Sequence, residues 1–301
     1  LSDASIREIL KAQPTGFSDK LRGPQLLGQF GWEYSDLPGY RERGIQVLGK
    51  GGNTGSYSAN LQIIPQERIV IGFALSGNIA GEILTRPILD ALMKDRKLME
   101  DRPKAAKKPA DPQPIPTEML KYAGYYANNA AVVKVAFDKK NNILTISPLT
   151  TEKADSAPPA PPLTFAYSNG YFHSNTDDPQ CYFTTVDGTV FFASHKKPPY
   201  ELDMVLYQKL GAIKKPIRLK ENMKGKIWLL RNASPYMLGA ITPDDSSTFK
   251  ALPGYVELAG IKRIERSDFA SSAATEFRDQ TDLLLFSRNG KTWAKAGIFL
   301  L

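Results

Sequence analysis

Three stretches in the first hundred residues, 44–49, 56–64 and 68–75, read as β-strands, 56–64 by its alternation of apolar and polar positions and 68–75 as a nearly continuous apolar run. Their connections are short, so the pattern predicts an antiparallel three-stranded sheet. Ahead of them, Ser2 or Asp3 is placed to cap a short helix with Ile6, Ile9 and Leu10 on one face, and a loop rich in Gly and Pro follows. Behind them, Asn78 opens a helical pattern in which Ile79, Ile83, Leu84, Ile88 and Leu92 form a stripe that can cover the sheet. Pro87 is expected to kink that helix. The expected fold class of this part is α+β, a sheet closed by a terminal helix.

Residues 102–116 are proline-rich and read as a semi-rigid interdomain linker. Beyond them, alternating runs are punctuated by hairpin signals at Lys140-Asn141-Asn142, Ser168-Asn169-Gly170, Val186-Asp187-Gly188 and Arg288-Asn289-Gly290. Strands near 125, 132–137, 143–147, 163–167, 181–186, 189–194 and 203–208 would close a small antiparallel barrel or sandwich, with 157–162 as a protruding loop. Strands near 226–231, 236–241, 254–264, 282–287 and 292–300 suffice for a second such unit. The expected division is therefore 1–99, a linker over 100–116, a β domain over 117–212 and a second over 213–301.

Composition narrows the function classes. The 301 residues are 42% hydrophobic and 23% charged, an ordinary globular balance. The formal charge of +8 could favour anionic surfaces, but the basic residues are dispersed and only Lys104, Lys107 and Lys108 cluster. No RNA-binding aromatic signature is present, so nucleic acid is not an expected partner. Cys181 is the sole cysteine, which excludes an intrachain disulfide and a cysteine-rich zinc site. His173 and His195, the only histidines, stand 22 residues apart without a neighbouring acidic pattern, so no metal or cofactor is expected. No apolar run reaches the roughly 18 residues of a membrane span. The N-terminus lacks the basic-then-apolar order of a signal peptide, and a chain opening at Leu1 is expected to have lost its natural start.

Candidate chemistry concentrates in 49–65, where Lys50 stands among Gly49, Gly51 and Gly52 ahead of a strand closed by Pro65-Gln66-Glu67. Small residues there let a ligand approach the backbone, and the pattern places a cation on an edge strand bordering a cleft. A phosphate-cradling loop is a poorer fit, because that motif leads into a helix and a strand follows here. A surface lysine in a glycine-rich turn is the bland alternative.

With Phe30-Gly31-Trp32, Gly49-Lys50-Gly51-Gly52, Tyr57-Ser58, Pro65-Gln66-Glu67 and the apolar strand ending Ser76-Gly77-Asn78, residues 1–97 resemble the C-terminal third of the catalytic domain of serine β-lactamase-like hydrolases. That group contains class C β-lactamases, penicillin-binding proteins, D-aminopeptidases and related esterases. Leu120-Lys121-Tyr122-Ala123-Gly124-Tyr125-Tyr126 also resembles the opening of the lipocalin-like β domain that often follows. Such enzymes need Ser-x-x-Lys as nucleophile and base, Tyr-x-Asn or Ser-x-Asn, and a Lys-Thr-Gly or His-x-Gly strand edging the site. Lys50 with Gly51 and Gly52 fits the third element, and its spacing to Pro65 agrees with the family's. A register on Asn53-Thr54-Gly55 is open, but it sets a neutral amide where the cation belongs.

The resemblance implies that Lys50 attracts a substrate carboxylate and that the N–H of Asn53 is the second oxyanion-hole donor. Gly51 departs from the usual Thr or Ser, which puts carboxylate recognition in doubt. Ser194-His195-Lys196-Lys197 matches Ser-x-x-Lys, but on a predicted strand before Pro198-Pro199, where no helix sets Ser and Lys one turn apart. Tyr126-Ala127-Asn128 and Tyr167-Ser168-Asn169 match Tyr-x-Asn, yet both follow the third element, reversing the family's order.

The expectation is therefore the C-terminal portion of a serine hydrolase acting by acyl-serine chemistry on D-amino-acid peptides, β-lactams or small esters. Its nucleophile would sit on an upstream segment, so the chain alone would be inactive. By resemblance it is placed outside the cell or in the cell envelope, with homo-oligomers admitted. The competing class is a non-catalytic β-barrel module that binds a ligand or mediates oligomers at the envelope, using Tyr125, Tyr126, Phe165, Tyr167, Tyr171, Phe172, Tyr182 and Phe183 as aromatic surface.

Overall fold

The structure is a computed structural model that describes residues 2–11, 17, 20–22, 31–35, 37, 39–54, 56–77, 79, 81–100, 111–151, 160–174, 180–195, 203–221, 226–229, 231–232, 244–274, 281–297 and 299–300. Strands take 45% and helices 14%. This corrects the expected α+β class with a covering helix: the molecule is β-rich, built of large antiparallel sheets. By contacts the chain falls into two compact units. One comprises 1–111, 168–188 and 193–205; the other comprises 112–167, 189–192 and 206–301.

In the first unit Ser2 caps α1 (Asp3–Leu10) by accepting the Ser5 N–H at 3.2 Å. The sheet consists of β1 (Leu48–Thr54), β2 (Tyr57–Ile64) and β3 (Ile69–Ser76), in that order and antiparallel. The first strand begins later than the apolar pattern suggests, so Lys50, Gly51, Gly52 and Asn53 lie inside it. α2 (Glu82–Asp95) continues through Pro87 and packs on β2 and β3. Its start at Asn78, expected from sequence, lies outside the described residues.

Of the expected stripe only Leu92 packs against the core; otherwise the helix meets the sheet with its other face. Thr85, Arg86, Leu89 and Met93 are buried, whereas Ile79, Ile83, Leu84 and Ile88 are exposed. The buried face of β2 is polar for three of its four positions, Ser58, Asn60 and Gln62, with only Ile64 apolar. Each polar side chain makes a hydrogen bond, although Gln62 Oε1 is buried without a partner among the described residues. Ser58 Oγ donates to Gly77 O at 2.7 Å, Thr85 Oγ1 donates to Asn60 Oδ1 at 2.9 Å, and Gln62 Nε2 donates to Tyr34 Oη at 2.8 Å. Below them Tyr34, Leu37, Tyr40, Ile45, Val47, Ile64, Ile69, Leu89, Met93 and Met99 form one apolar core. Arg86 stacks on Tyr40 with 4.5 Å to the ring centroid and pairs with Asp90, which also accepts the Tyr40 hydroxyl.

Beyond the proline-rich stretch, whose residues 101–110 lie outside the described ones, eight strands close a barrel. They are β4 (Gly124–Ala127), β5 (Val132–Asp138), β6 (Ile143–Pro148), β7 (Leu163–Ser168), β8 (Tyr171–His173), β9 (Gln180–Val186), β10 (Thr189–His195) and β11 (Asp203–Lys209). Their order is β10-β11-β4-β5-β6-β7-β8-β9. Closure leaves these strands no free edge. β8 is the barrel strand that the alternation did not predict; three residues are too few to show a period. Cys181 is buried in β9. The loop expected over 157–162 is described only from 160 onward.

The remaining strands are β12 (Ile227–Trp228), β13 (Asp244–Asp245), β14 (Ser247–Thr248), β15 (Tyr255–Glu257), β16 (Ile261–Arg266), β17 (Phe269–Ser272), β18 (Leu283–Arg288), β19 (Lys291–Ala296) and β20 (Phe299–Leu300). β12 pairs with β13, and β14 to β20 form a seven-stranded meander. Where one strand was expected over 254–264 there are two, because Ala259 and Gly260 both take positive φ and turn the chain. The expected strand at 236–241 lies outside the described residues. Trp228, Val256, Leu258, Ile264, Leu283 and Leu285 make the core of the meander. A second cluster joins Ala127, Val132 and Leu210 to Phe249, Leu252, Tyr255 and Ile261.

Candidate functional site

β1 is an edge strand, and Gly49 fixes the direction in which its backbone groups point. The Gly49 N–H donates to Tyr34 O at 2.9 Å and the Glu33 N–H donates to Gly49 O at 2.8 Å, both away from β2. Alternation along an antiparallel strand then turns the N–H and C=O of Gly51 and Asn53 outward as well. The Gly51 N–H donates to Glu33 Oε2 at 3.1 Å, and the N–H of Asn53 lies on the same rim. A Cβ at Gly49 would stand 1.9 Å from Tyr34 Cζ, so the close crossing of that ring requires glycine. A Cβ at Gly51 would meet Glu33 Oε2 at 3.0 Å, while one at Gly52 would meet nothing within 4 Å. Thus glycine at position 51 leaves room for the Glu33 carboxylate.

Lys50 pairs with Leu61 across the ladder, on the sheet face away from α2. Its ammonium bonds Glu33 Oε1 at 3.3 Å and the Gly51 carbonyl, and its side chain is 44% exposed. With the Lys50 end in solvent the ion pair contributes under about 1 kcal/mol, while the Glu33 carboxylate, 18% exposed, is held further by the Gly51 N–H. Among the described residues Lys50 bonds only to Glu33 and Gly51, and neither a serine nor a second lysine joins it. Of Phe30-Gly31-Trp32, Phe30 lies outside the described residues, as does Asn78.

The short motif matches elsewhere have structural roles. Ser194 is buried in β10, and Lys196 and Lys197 lie outside the described residues. Tyr126 is buried with its hydroxyl donating to Tyr122 O at 2.6 Å, and burial pushes that phenol well up. Asn128 Oδ1 accepts the N–H groups of Ala130 and Ala131, both at 2.9 Å, which makes it a turn residue. Asn169 takes a φ of 50° in the turn between β7 and β8. Of the barrel aromatics, Tyr126, Phe165, Tyr167, Phe172 and Tyr182 are buried, and Tyr125, Tyr171 and Phe183 are half-buried.

One polar cluster had no sequence signal. His195 Nδ1 meets Asp203 Oδ1 at 2.6 Å, with the Asp203 side chain wholly buried. The Tyr182 hydroxyl donates to Oδ2 of the same carboxylate and accepts the Arg22 N–H at 3.1 Å. Burial first, then the bond to Asp203, pushes the Tyr182 phenol well up. The Arg22 guanidinium covers the rings of Tyr171 and Tyr182 at 4.2 and 4.6 Å from their centroids. His195 and Asp203 close the ends of β10 and β11, so the pairing follows from strand register, which spacing alone does not specify. Among the described residues no group of three or more His, Cys, Asp or Glu could hold a metal, and no helix is long and apolar enough to cross a membrane.

No protein-family profile matches the chain, and no curated protein matches it. Among solved structures it is similar to that of SurE with D-Leu, at 20% identity and a TM-score of 0.24, over 50% of this chain and 35% of that one. The chain thus spans about a third of that structure's length, a likeness too slight to bear on the fold.

Proposed function

We propose that residues 1–99 are the C-terminal portion of a serine hydrolase of the β-lactamase and penicillin-binding-protein type, whose nucleophile and base come from a segment outside residues 1–301. One observation carries the reading: the face of the three-stranded sheet turned away from α2 is apolar as well and lies uncovered among the described residues. Tyr57 is 64% exposed and Val70 65% exposed, Ala59 and Ala74 are exposed beside them, and Leu61 and Ile63 are only half-buried. The opposite face of β2 buries Ser58, Asn60 and Gln62. The outer side of α2 adds Ile83, Leu84 and Ile88. β3 ends the sheet, and no strand pairs with its outer edge among the described residues. Sequences put apolar residues on faces that something covers, so a sheet with this pattern on both sides is built to be covered twice.

In the covered site the Lys50 ammonium would exchange Glu33 for the carboxylate of a D-amino-acid peptide or an opened β-lactam, or would stand by the carbonyl of an ester. The outward N–H groups of Asn53 and Gly51 would face the developing oxyanion. A serine hydroxyl on the supplied segment would attack the carbonyl carbon, its proton passing to the neighbouring base. The C–N or C–O bond of the substrate would then break, the amine or alcohol leaving with that proton, and water would hydrolyse the acyl-serine to release the acid and restore the serine hydroxyl.

The test joins the polypeptide encoded immediately upstream to residues 1–301 and treats the product with a fluorophosphonate and with a fluorescent penicillin. Labelling of one serine, slowed about 100-fold or more by Lys50→Ala, is the expected result. Absence of any labelled serine, or labelling of the Lys50→Ala protein at the parent rate, would refute the proposal. A non-catalytic envelope module is the second reading; of the aromatics it would use, Tyr125, Tyr171 and Phe183 are half-buried and the others buried.

A further inference from the structure

A cavity in the second unit is lined by Lys226, Ile227, Trp228, Leu229 and Arg231 on one side and by Lys291, Thr292 and Trp293 of β19 on the other. Its volume is ≈ 420 Å³, at the lower end of the roughly 300–1,000 Å³ of small-molecule sites. Its chemistry is unusual for an exposed groove. The walls give two exposed aliphatic side chains, Ile227 and Leu229, and two indoles, while every charged side chain among the lining residues is a cation.

The walls are held in place before any ligand arrives. Glu221 pairs with Lys226 and accepts the Thr292 hydroxyl at 3.0 Å, which ties one wall to the other. The Trp228 indole N–H donates to Ser246 Oγ at 3.0 Å and the Trp293 indole N–H to Arg288 O at 3.3 Å, fixing both rings. The backbone of Arg231 donates to Leu300 O at 2.8 Å. Glu221 answers Lys226, but among the described residues no carboxylate pairs with Arg231 or Lys291, so two positive charges face the groove without a counter-ion.

We infer that this groove binds a small organic anion, a carboxylate or phosphate carried on an apolar ring, with the ring against Trp293, Ile227 and Leu229 and the anionic head between Arg231 and Lys291. A cation beside an indole suits such a ligand twice. The ring gains apolar contact with the exposed aliphatic wall, and the head gains charge-assisted hydrogen bonds. The inference does not depend on the hydrolase reading, since the groove shares no residue with β1.

The experiment uses residues 1–301 and the probe 2-naphthoate, with 2-naphthamide as its neutral counterpart. Binding is followed by calorimetry and by quenching of tryptophan emission, with Trp293→Phe separating the signal of that indole from Trp32 and Trp228. Saturable binding of the naphthoate is expected, at least tenfold weaker for the naphthamide and at least tenfold weaker in Arg231→Gln/Lys291→Gln. Both substitutions lie at exposed positions, and an unchanged circular dichroism spectrum checks that the fold is kept. No saturation at millimolar naphthoate, equal binding of the amide, or full binding by the double variant would each overturn the inference.

Discussion

Two neighbouring residues of α2 distinguish the observed helix orientation from the one its apolar stripe suggests. Leu89 is 0% exposed within the core of Tyr34, Tyr40, Ile64 and Met93, whereas Ile88 is 51% exposed on the outer side. Truncating a fully buried leucine to alanine costs about 2–5 kcal/mol, the removed methyl groups and the cavity contributing together. At Ile88 about half of three carbons is buried, and at about 0.8 kcal/mol per buried methylene the loss is about 1.2 kcal/mol. Alanine returns about 0.4 kcal/mol of helix propensity. Leu89→Ala should therefore lose about 2 kcal/mol more than Ile88→Ala. Hydrogen exchange of peptides spanning 57–76, read as an opening free energy, measures both losses in the sheet the helix covers. Equal losses, or a greater loss for Ile88→Ala, would show that the stripe of Ile83, Leu84 and Ile88 faces the sheet and would remove the main support for the proposed function.

Gly49→Ala should lower the thermal midpoint of the first unit, since its Cβ overlaps the buried Tyr34 ring, while Gly52→Ala should leave the midpoint within about 2 °C. Equal midpoints for the two variants would count against the crossing of Tyr34 over β1. Asp203→Ala strips partners from His195 and from the buried Tyr182 hydroxyl, and should cost about 1–3 kcal/mol in urea titrations. Asp138 accepts the backbone N–H of Asn141, the side-chain amide of Asn141 and the N–H of Lys140, which hold its carboxyl below the ordinary 3.8. A carboxyl depressed in the folded state stabilises above the unfolded value, and this contribution fades as pH falls through the lower folded value. Carbon-detected NMR should place its midpoint under 3.8, and Asp138→Asn should remove that part of the acid dependence; a midpoint at or above 3.8 would contradict the bonds at this turn.

The β elements were legible where local chemistry determines them. Asn142, Asn169, Asp187 and Asn289 all take positive φ, as do Gly170, Gly188 and Gly290, which is the conformation that tight two-residue turns need. Fold class was misread because an apolar stripe names a face to be covered without naming what covers it. In α2 the stripe is real, yet the side that meets the sheet is the one with Thr85 and Arg86, whose polar groups meet Asn60 and Asp90. The hydrophobic rule failed in β2 for the same reason, since Ser58, Asn60 and Gln62 are buried by specific hydrogen bonds that no periodicity encodes. At the candidate site, the sequence located Lys50 on an edge but not its partner: Glu33 is 17 residues away and arrives through the bridge of Tyr34 to Gly49. The pairing of His195 with Asp203 across the end of a hairpin was invisible for a like reason.

The lone thiol of Cys181 is enclosed in β9, with 1% of its surface exposed. A sulfhydryl so placed reacts with a disulfide reagent only in the moments when the strands around it part. With no other cysteine to compete for reagent, the modification rate at rising reagent concentration becomes a clock for that parting. It would time the opening of this part of the barrel in the intact protein without any engineered label.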